Sequence, residues 1–284
     1  MVRPLGAQAM SAVENRLVQR FRETLQAGGK LLLPYVTACH PSAEATAGIL
    51  RGLDRVGVGA VELGFPFSDP VADGPVIQTS FYRAIEKGFR VSQAFEVVRS
   101  VRGEVSLPII AMVSYSLVYR YGLERFVRGA AEAGFDAILS PDLSVEESEP
   151  LRELAVRHNL VVPMLIAPTS PQSRRDAIGQ ACSGFIYCVS VAGTTGERDE
   201  LPPELAGQVA DLRKYGKPVC VGFGISKPKH VGKVWQIADG AIVGSAIVRK
   251  LNEAAEANLS SEQVAEIVGR MADDLLHPDV APAQ

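Results

Sequence analysis

Three carboxylates, Glu62, Asp69 and Asp73, stand close together in the stretch GAVELGFPFSDPVADGP, residues 59–75. Glu62 lies inside an apolar run. Burying an ionised carboxylate is costly unless it is paired, so burial should raise its pKa. A carboxyl group tuned in that way can both give and take a proton near neutral pH. The plainer alternative is a core salt bridge to a Lys or Arg on a neighbouring strand. None of the strand-like runs described below carries a basic residue in its interior, which favours the chemical role. The segment after it, FPFSDPVADGP, holds three prolines, one glycine and two aspartates. It is stiff, and long for a strand-to-helix connection. Asp69 or Asp73 could do chemistry there, or could simply cap a helix beginning near Val76. Spacing alone does not separate the two.

Three further segments suit an anion. Gly193-Thr194-Thr195-Gly196 is small and rich in hydroxyls. Its backbone N–H groups could hold a negative group and its glycines would let it act as a lid, unless it is an ordinary surface loop. Gly222-Phe223-Gly224-Ile225-Ser226 and Val243-Gly244-Ser245 each lead from an apolar run into a helical pattern. Helix N-termini of this kind favour phosphate, above all as a pair. No GxxxxGK[ST] pattern points to a nucleotide grip. Tyr35, Met112, Tyr115, Leu139, Ile166, Tyr187 and Phe223 stand near the ends of the apolar runs. They would wall a pocket, or be core.

The elements that must position these groups alternate. The strand candidates are 31–37, 60–63, 108–113, 137–140, 161–166, 185–190, 219–222 and 241–243. They are apolar throughout, as parallel strands buried on both faces require. Helical segments lie between them. Ser144 with Glu147 reads as a capping box, Ser170-Pro171 as a cap before a first-turn proline, and Ser226 with Pro228 as another start. Ahead of the first strand, Ser11 and Glu14 suggest a capping box. Val13, Leu17, Phe21 and Leu25 then follow at helical spacing up to Gly28-Gly29. A last helix is expected over 264–276. Eight alternations with short connections predict a (β/α)8 barrel with an extra N-terminal helix, as one domain over 1–284 with the barrel at about 31–257. A doubly wound open sheet is the rival, but TACHP after the first strand lacks the glycine-rich turn that such a fold places there.

The rest of the chain narrows the chemistry. Lys and Arg number 29 against 32 Asp and Glu, so no basic field recruits nucleic acid. Cys39, Cys182, Cys188 and Cys220 form no CxxC pair and read as buried thiols in a reducing compartment. His40, His158, His230 and His277 are scattered, so no protein-built metal site is expected. No apolar run approaches the roughly 20 residues of a membrane span. The N-terminus also lacks the apolar core of a signal peptide. A cytoplasmic protein is expected.

ELGFPFSDPVADGP, the glycine-threonine loop, GFGIS and GSAIV, in that order, resemble the tryptophan synthase α subunit from Leu31 to about Val248. The resemblance implies a lyase that splits indole-3-glycerol phosphate into indole and glyceraldehyde 3-phosphate by a retro-aldol reaction. By motif position, Glu62 would be the proton-transfer residue and Asp73, rather than Asp69, the partner that holds the indole N–H. Tyr187 would stand beside the glutamate. Gly196, Gly224, Gly244 and Ser245 would bind phosphate, and Thr195 would meet the aspartate when the lid closes. Phe223, Tyr35 and Leu139 would surround the indole. The chemistry asks Asp73 to stay ionised, which suits a polar loop. The resemblance implies no cofactor or metal for this chain. It also implies a β-subunit partner that carries pyridoxal phosphate, in an α2β2 complex. Three loops depart from the family pattern. Cys39-His40 replace the usual Gly-Asp, Ser116-Leu117 replace the usual Asn, and Ser144 replaces the usual Pro. They leave open a stand-alone lyase of the same fold, a non-catalytic activator of a β subunit, and another phosphate-binding barrel.

Overall fold

A computed structural model of the chain describes residues 14–70, 73–190, 201–222 and 224–278. Eight parallel strands form one sheet: β1 (Leu31–Thr37), β2 (Val61–Gly64), β3 (Ile109–Met112), β4 (Ala137–Leu139), β5 (Met164–Ile166), β6 (Ile186–Val189), β7 (Val219–Gly222) and β8 (Gly240–Val243). Each pairs with its sequence neighbours, and β8 returns to β1, with Leu31 opposite Gly240 and Pro34 opposite Val243. The ring closes between β4 and β5 through one bridge, Ala137 to Val161. There the Ile138 amide donates to the Val161 carbonyl at 3.0 Å, and the Val161 amide to the Asp136 carbonyl at 3.1 Å. The sheet is therefore a barrel, and the open doubly wound alternative does not hold.

The strand expected over 161–166 is shortened to Met164–Ile166 for a covalent reason. Pro163 has no N–H to offer the ladder. The other seven expected strands are present, with ends shifted by at most one residue.

Helices cover the outside: α1 (Arg16–Gln26), α2 (Ala43–Val56), α3 (Pro75–Glu86), α4 (Val91–Val101), α5 (Tyr115–Tyr121) and α6 (Leu123–Ala133) in the first half. The second half adds α7 (Glu149–Arg157), α8 (Gln172–Ala181), α9 (Leu205–Leu212), α10 (Pro228–Ile237), α11 (Ser245–Glu256) and α12 (Ser261–Leu276). Successive strand residues point to opposite faces. The outward set, including Leu32, Val36, Val61, Leu63, Ile109 and Val221, packs with the helices in one large apolar cluster. The inward set, including Leu31, Leu33, Ile110, Leu139, Phe185 and Ile242, forms a second cluster inside the barrel.

The helix starts differ from the capping expectations. Ser11 lies outside the described residues, and Asn15 caps α1. Its Oδ1 accepts from the Leu17 amide at 3.0 Å and the Val18 amide at 3.3 Å. Its amide donates to the Asp136 and Asn159 carbonyls at 2.8 and 2.7 Å. A tertiary tether therefore sets where α1 begins, and Leu17 and Phe21 are driven into the barrel's lower end against Phe185. Ser144 and Glu147 do meet, at 3.3 Å, but they form a tight turn and not a helix start. Helix α7 begins later, with Pro150 in its first turn. Ser170 and Ser226 also lie just outside the helices they were expected to cap, which open after Pro171 and Lys227. At α12 a capping box does form, between Ser260 and Gln263.

Asn15→Ala removes a cap and exposes two buried carbonyls to an empty space. Chemical denaturation should show a loss of about 2 kcal/mol. Because Asn15 is at the end of the barrel opposite the strand C-termini, kcat should stay within twofold of the parent.

Candidate functional site at the C-terminal ends of the strands

Glu62 is the second residue of β2. Val61 and Leu63 on either side of it belong to the outer cluster, so strand alternation turns Glu62 inward. Its backbone registers with Tyr35 of β1 on one side and Ile110 of β3 on the other. The side chain is 1% exposed, and its Oε1 is buried without a hydrogen-bond partner. No ion pair reaches it among the described residues. Burial alone pushes the Glu62 carboxyl up to about 8. The salt-bridge alternative for this residue is thereby excluded.

The two aspartates of the following loop part company. Asp69 is exposed and Asp73 is half-buried. Gly74, not either aspartate, occupies the cap position of α3, and no side chain caps that helix. The loop is held from below by Gln78, whose Nε2 donates to the Asp73 carbonyl at 2.7 Å and the Pro70 carbonyl at 3.3 Å. Burial raises the Asp73 carboxyl to about 6. This corrects the expectation of a polar loop. At neutral pH it is therefore ionised by a modest margin.

Tyr35 and Tyr187 share this space. Burial raises both phenols well above 10. The negative charges of Asp73 and Glu62 push further in the same direction on each ring. The four groups are therefore electrostatic neighbours at the mouth of the barrel. Room for the rings comes from two glycines. A methyl group on Gly64 would overlap the Tyr35 hydroxyl, and one on Gly222 would lie 2.6 Å from the Tyr187 hydroxyl. The sequence reading placed Gly222 in an anion-binding turn and gave Gly64 no role; the structure shows both making room for the tyrosine rings. The signal was available, since each follows an inward residue by two places near a strand end. Gln78 carried no such signal.

Leu139 ends β4 inside the barrel, opposite Met112 of β3. Gly244 precedes α11, and a methyl group there would be 3.7 Å from the Tyr35 Cβ. Ser245 opens α11, whose first amides meet no side-chain cap. Gly224 follows β7, on the way to α10. Thus Tyr35, Glu62, Asp73, Leu139, Tyr187, Gly224, Gly244 and Ser245 all stand at the C-terminal ends of the strands. Thr195, Gly196 and Phe223 lie outside the described residues. A cavity of about 300 Å³ opens between β4 and β5, lined by Ser140, Leu143, Met164, Arg174 and Ile178 among others. Neither Glu62 nor Asp73 lines it. Among the described residues no group of His, Cys, Asp and Glu could hold a metal ion, and no helix is long and apolar enough to cross a membrane.

Comparison with known proteins agrees along nearly the whole chain. Residues 21–275 match the sequence model of a family described as tryptophan synthase alpha chain. A relative of that name from Chloroflexus aurantiacus is 41% identical over 239 residues, covering 84% of this chain and 90% of the relative. Another, from Carboxydothermus hydrogenoformans, is 38% identical over 255 residues, covering 89% and 96%. The crystal structure of the corresponding subunit from Legionella pneumophila superposes with a TM-score of 0.84 at 32% identity, over 94% of this chain and 98% of that one. A chain of a tryptophan synthase complex from Pyrococcus furiosus superposes at 0.77 with 35% identity, over 87% and 98%.

Folded Glu62 keeps its proton up to about pH 8, whereas in the unfolded chain it ionises near its ordinary value of 4.5. Folding stability therefore falls as pH rises through that window. Glu62→Gln removes the liability. Thermal unfolding should show the variant gaining on the parent between pH 5 and pH 8, by on the order of 3 kcal/mol. A constant difference across that range would mean that Glu62 is not held in a dry site.

Proposed function

Because the chain belongs to the tryptophan synthase alpha chain family, we propose that Glu62 and Asp73 are the acid–base residues of that family's reaction. The chain is a carbon–carbon lyase of L-tryptophan biosynthesis, cleaving indole-3-glycerol phosphate to indole and glyceraldehyde 3-phosphate. What supports the residue roles is a single observation: an inward carboxyl group on β2 with a buried, unpartnered oxygen, raised to about 8, which shares the neighbourhood of Tyr35 and Tyr187 with a second one near 6.

The reaction needs a proton delivered to the indole ring carbon that bears the side chain, and a proton removed from the adjacent hydroxyl. Protonated Glu62 supplies the first. Positive charge then develops on the ring nitrogen, where ionised Asp73 accepts the N–H hydrogen bond and stabilises it. Glu62, now a carboxylate in a dry site, takes the hydroxyl proton. The C–C bond breaks, its electrons return to the ring, and the aldehyde leaves. Glu62 ends as it began. A general acid–base group of this kind contributes roughly 10²–10⁴-fold.

Tyr187 stands beside Glu62 and orders it. Tyr35, Leu139 and Phe223 wall the indole. Gly196, Gly224, Gly244 and Ser245 receive the phosphate on backbone amides and a hydroxyl. Thr195 meets Asp73 on lid closure. The chain needs no cofactor of its own and works in the cytoplasm. Members of its family partner with a β subunit, and here the assembly is α2β2, with pyridoxal phosphate held by the partner. The loops after β3 and β4 suit that role as one unit. Ser114 Oγ and the Tyr115 amide both donate to the Asp142 carboxylate, at 2.7 and 2.8 Å. A stand-alone lyase is the second reading, favoured by the altered Cys39-His40, Ser116-Leu117 and Ser144. Indole release with and without added β subunit decides. A rate that climbs on addition supports the complex, and a high unaided rate supports the free enzyme.

Glu62→Gln should abolish indole release while the fold persists, and Asp73→Asn should lower kcat by at least 10²-fold. Asp69→Asn should leave kcat within twofold. Turnover surviving in Glu62→Gln would sink the mechanism.

The pH profile has a definite sign. Asp73 must be ionised and Glu62 protonated, so kcat/KM of the free enzyme should rise through about 6 and fall through about 8. Asp73→Asn should remove the acidic limb alone.

A further inference from the structure

His40 lies in the connection from β1 to α2, away from the reacting carboxylates, and is 1% exposed. Its Nε2 meets Asn252 Oδ1 of α11 at 2.9 Å. Asn252 Nδ2 in turn donates to the Val76 carbonyl at 3.0 Å. That donation fixes the amide's orientation and leaves Oδ1 facing His40. Oδ1 can only accept, so Nε2 must carry the hydrogen. Nδ1 is then a bare acceptor, and it is buried without a partner. Burial drives His40 down to about 4. Nearby Arg83 and Lys87 oppose its charging too, though less than the Asn252 bond favours it. The imidazole is therefore a neutral, single-hydrogen donor, aimed at one amide.

An orphaned nitrogen in the interior costs stability. A core built for stability alone would not keep it. What the pair achieves is geometric. Val76 is in the first turn of α3, three residues after Asp73. Two residues on, Gln78 Nε2 holds the Asp73 carbonyl at 2.7 Å. Ser80 Oγ then meets Thr37 Oγ1 at the end of β1, at 2.7 Å. The first two turns of α3 are thus pinned to β1, to the β1–α2 connection and to α11. We propose that His40 and Asn252 are positioning residues that act through the first of these turns to hold the Asp73 carboxyl group over the barrel mouth. The inference rests on the reading of Asp73 as a substrate contact.

A second set of bonds between α3 and α11 serves as the internal control. Arg83 Nη1 donates to the Asn252 carbonyl at 3.2 Å, and Nη2 pairs with Glu256 at 2.6 Å. These lie on the outer side of the same helix pair and leave the Val76 carbonyl untouched. If only general packing mattered, breaking them would cost as much activity as breaking the inner tether.

The test is steady-state cleavage of indole-3-glycerol phosphate by the full chain with saturating β subunit, beside thermal unfolding. Asn252→Asp keeps the acceptor for His40 but cannot donate to Val76. Asn252→Leu removes both bonds. Each should lower kcat about tenfold, with KM changed less than threefold because the phosphate end is untouched. A misplacement of about 1 Å at a reacting group is enough for such losses. His40→Leu should match them, and His40→Gln, which restores an N–H donor, should recover most of the rate. Arg83→Ala should lower Tm while kcat stays within twofold. On an Asp73→Asn background, Asn252→Leu should cost nothing further. Wild-type kcat in Asn252→Asp and His40→Leu overturns the proposal, as does a kcat loss in Arg83→Ala equal to that in Asn252→Leu. If Asn252→Leu does not fold, Asn252→Asp and the two His40 variants decide on the same criteria. If Asp73→Asn itself keeps full kcat, the reading of Asp73 fails, and the tether loses its object with it.

Discussion

The site depends on one costly arrangement, a carboxyl group turned into the barrel with nothing to pair it. Water would solvate Glu62 and return it to its ordinary acidity. A lysine or arginine nearby would hold it ionised. Among the described residues no lysine or arginine pairs with it, and its Oε1 is buried without a partner. Closure of eight strands satisfies the backbone polar groups in a ring and leaves the inward side chains to fill the middle. Around Glu62 these are Tyr35, Ile110, Met112 and Tyr187. The raised pKa is the physical record of that surrounding, and it is also what the proposed role of Glu62, first as acid and then as base, requires.

The surrounding structure divides its labour between the two ends of the barrel. At the lower end, stability is concentrated. Leu17 and Phe21 of α1 plug the interior, and Asn15 ties that helix to Asp136 and Asn159. Asp136 is itself buried, with Arg102 at 3.4 Å and Arg16 at 3.6 Å. Burial still outweighs those cations and raises its carboxyl group, although the Ile109 amide also helps to hold the charge. A buried ion pair of this sort specifies geometry more than it adds stability. At the upper end the opposite choice is made. Space is left by Gly64 and Gly222, polar atoms of Glu62 and His40 go unpaired, and helix α11 opens without a side-chain cap. Such departures are tolerable because the lower end and the outer apolar layer carry the fold.

How much of this was legible in the chain follows from the range of each interaction. The eight strands read well because parallel strands buried on both faces need uninterrupted apolar runs, and that need is local. Helix starts read poorly. Ser144 and Glu147 do bond to each other as a capping box would, yet the helix begins further on at Glu149, beyond a tight turn. Asn15 carries a start that Ser11 and Glu14 suggested, because its amide reaches Asp136 and Asn159, far away in sequence. A residue pattern cannot register a partner that only folding brings near.

The same distinction separates the two carboxylates. By itself, the sequence determined that Glu62 sits in a run with no basic neighbour. That is enough to predict an unpaired buried acid, because strand alternation and desolvation are properties of a few adjacent residues. It could not choose between Asp69 and Asp73 on spacing, nor foresee that Asp73 would be shielded and raised towards 6. The family resemblance made the choice, and the burial of Asp73 was settled only by the tertiary structure. The burial of a loop carboxylate depends on how the chain around it is held, and here the Gln78 side chain of α3 clasps the loop through the Asp73 and Pro70 carbonyls.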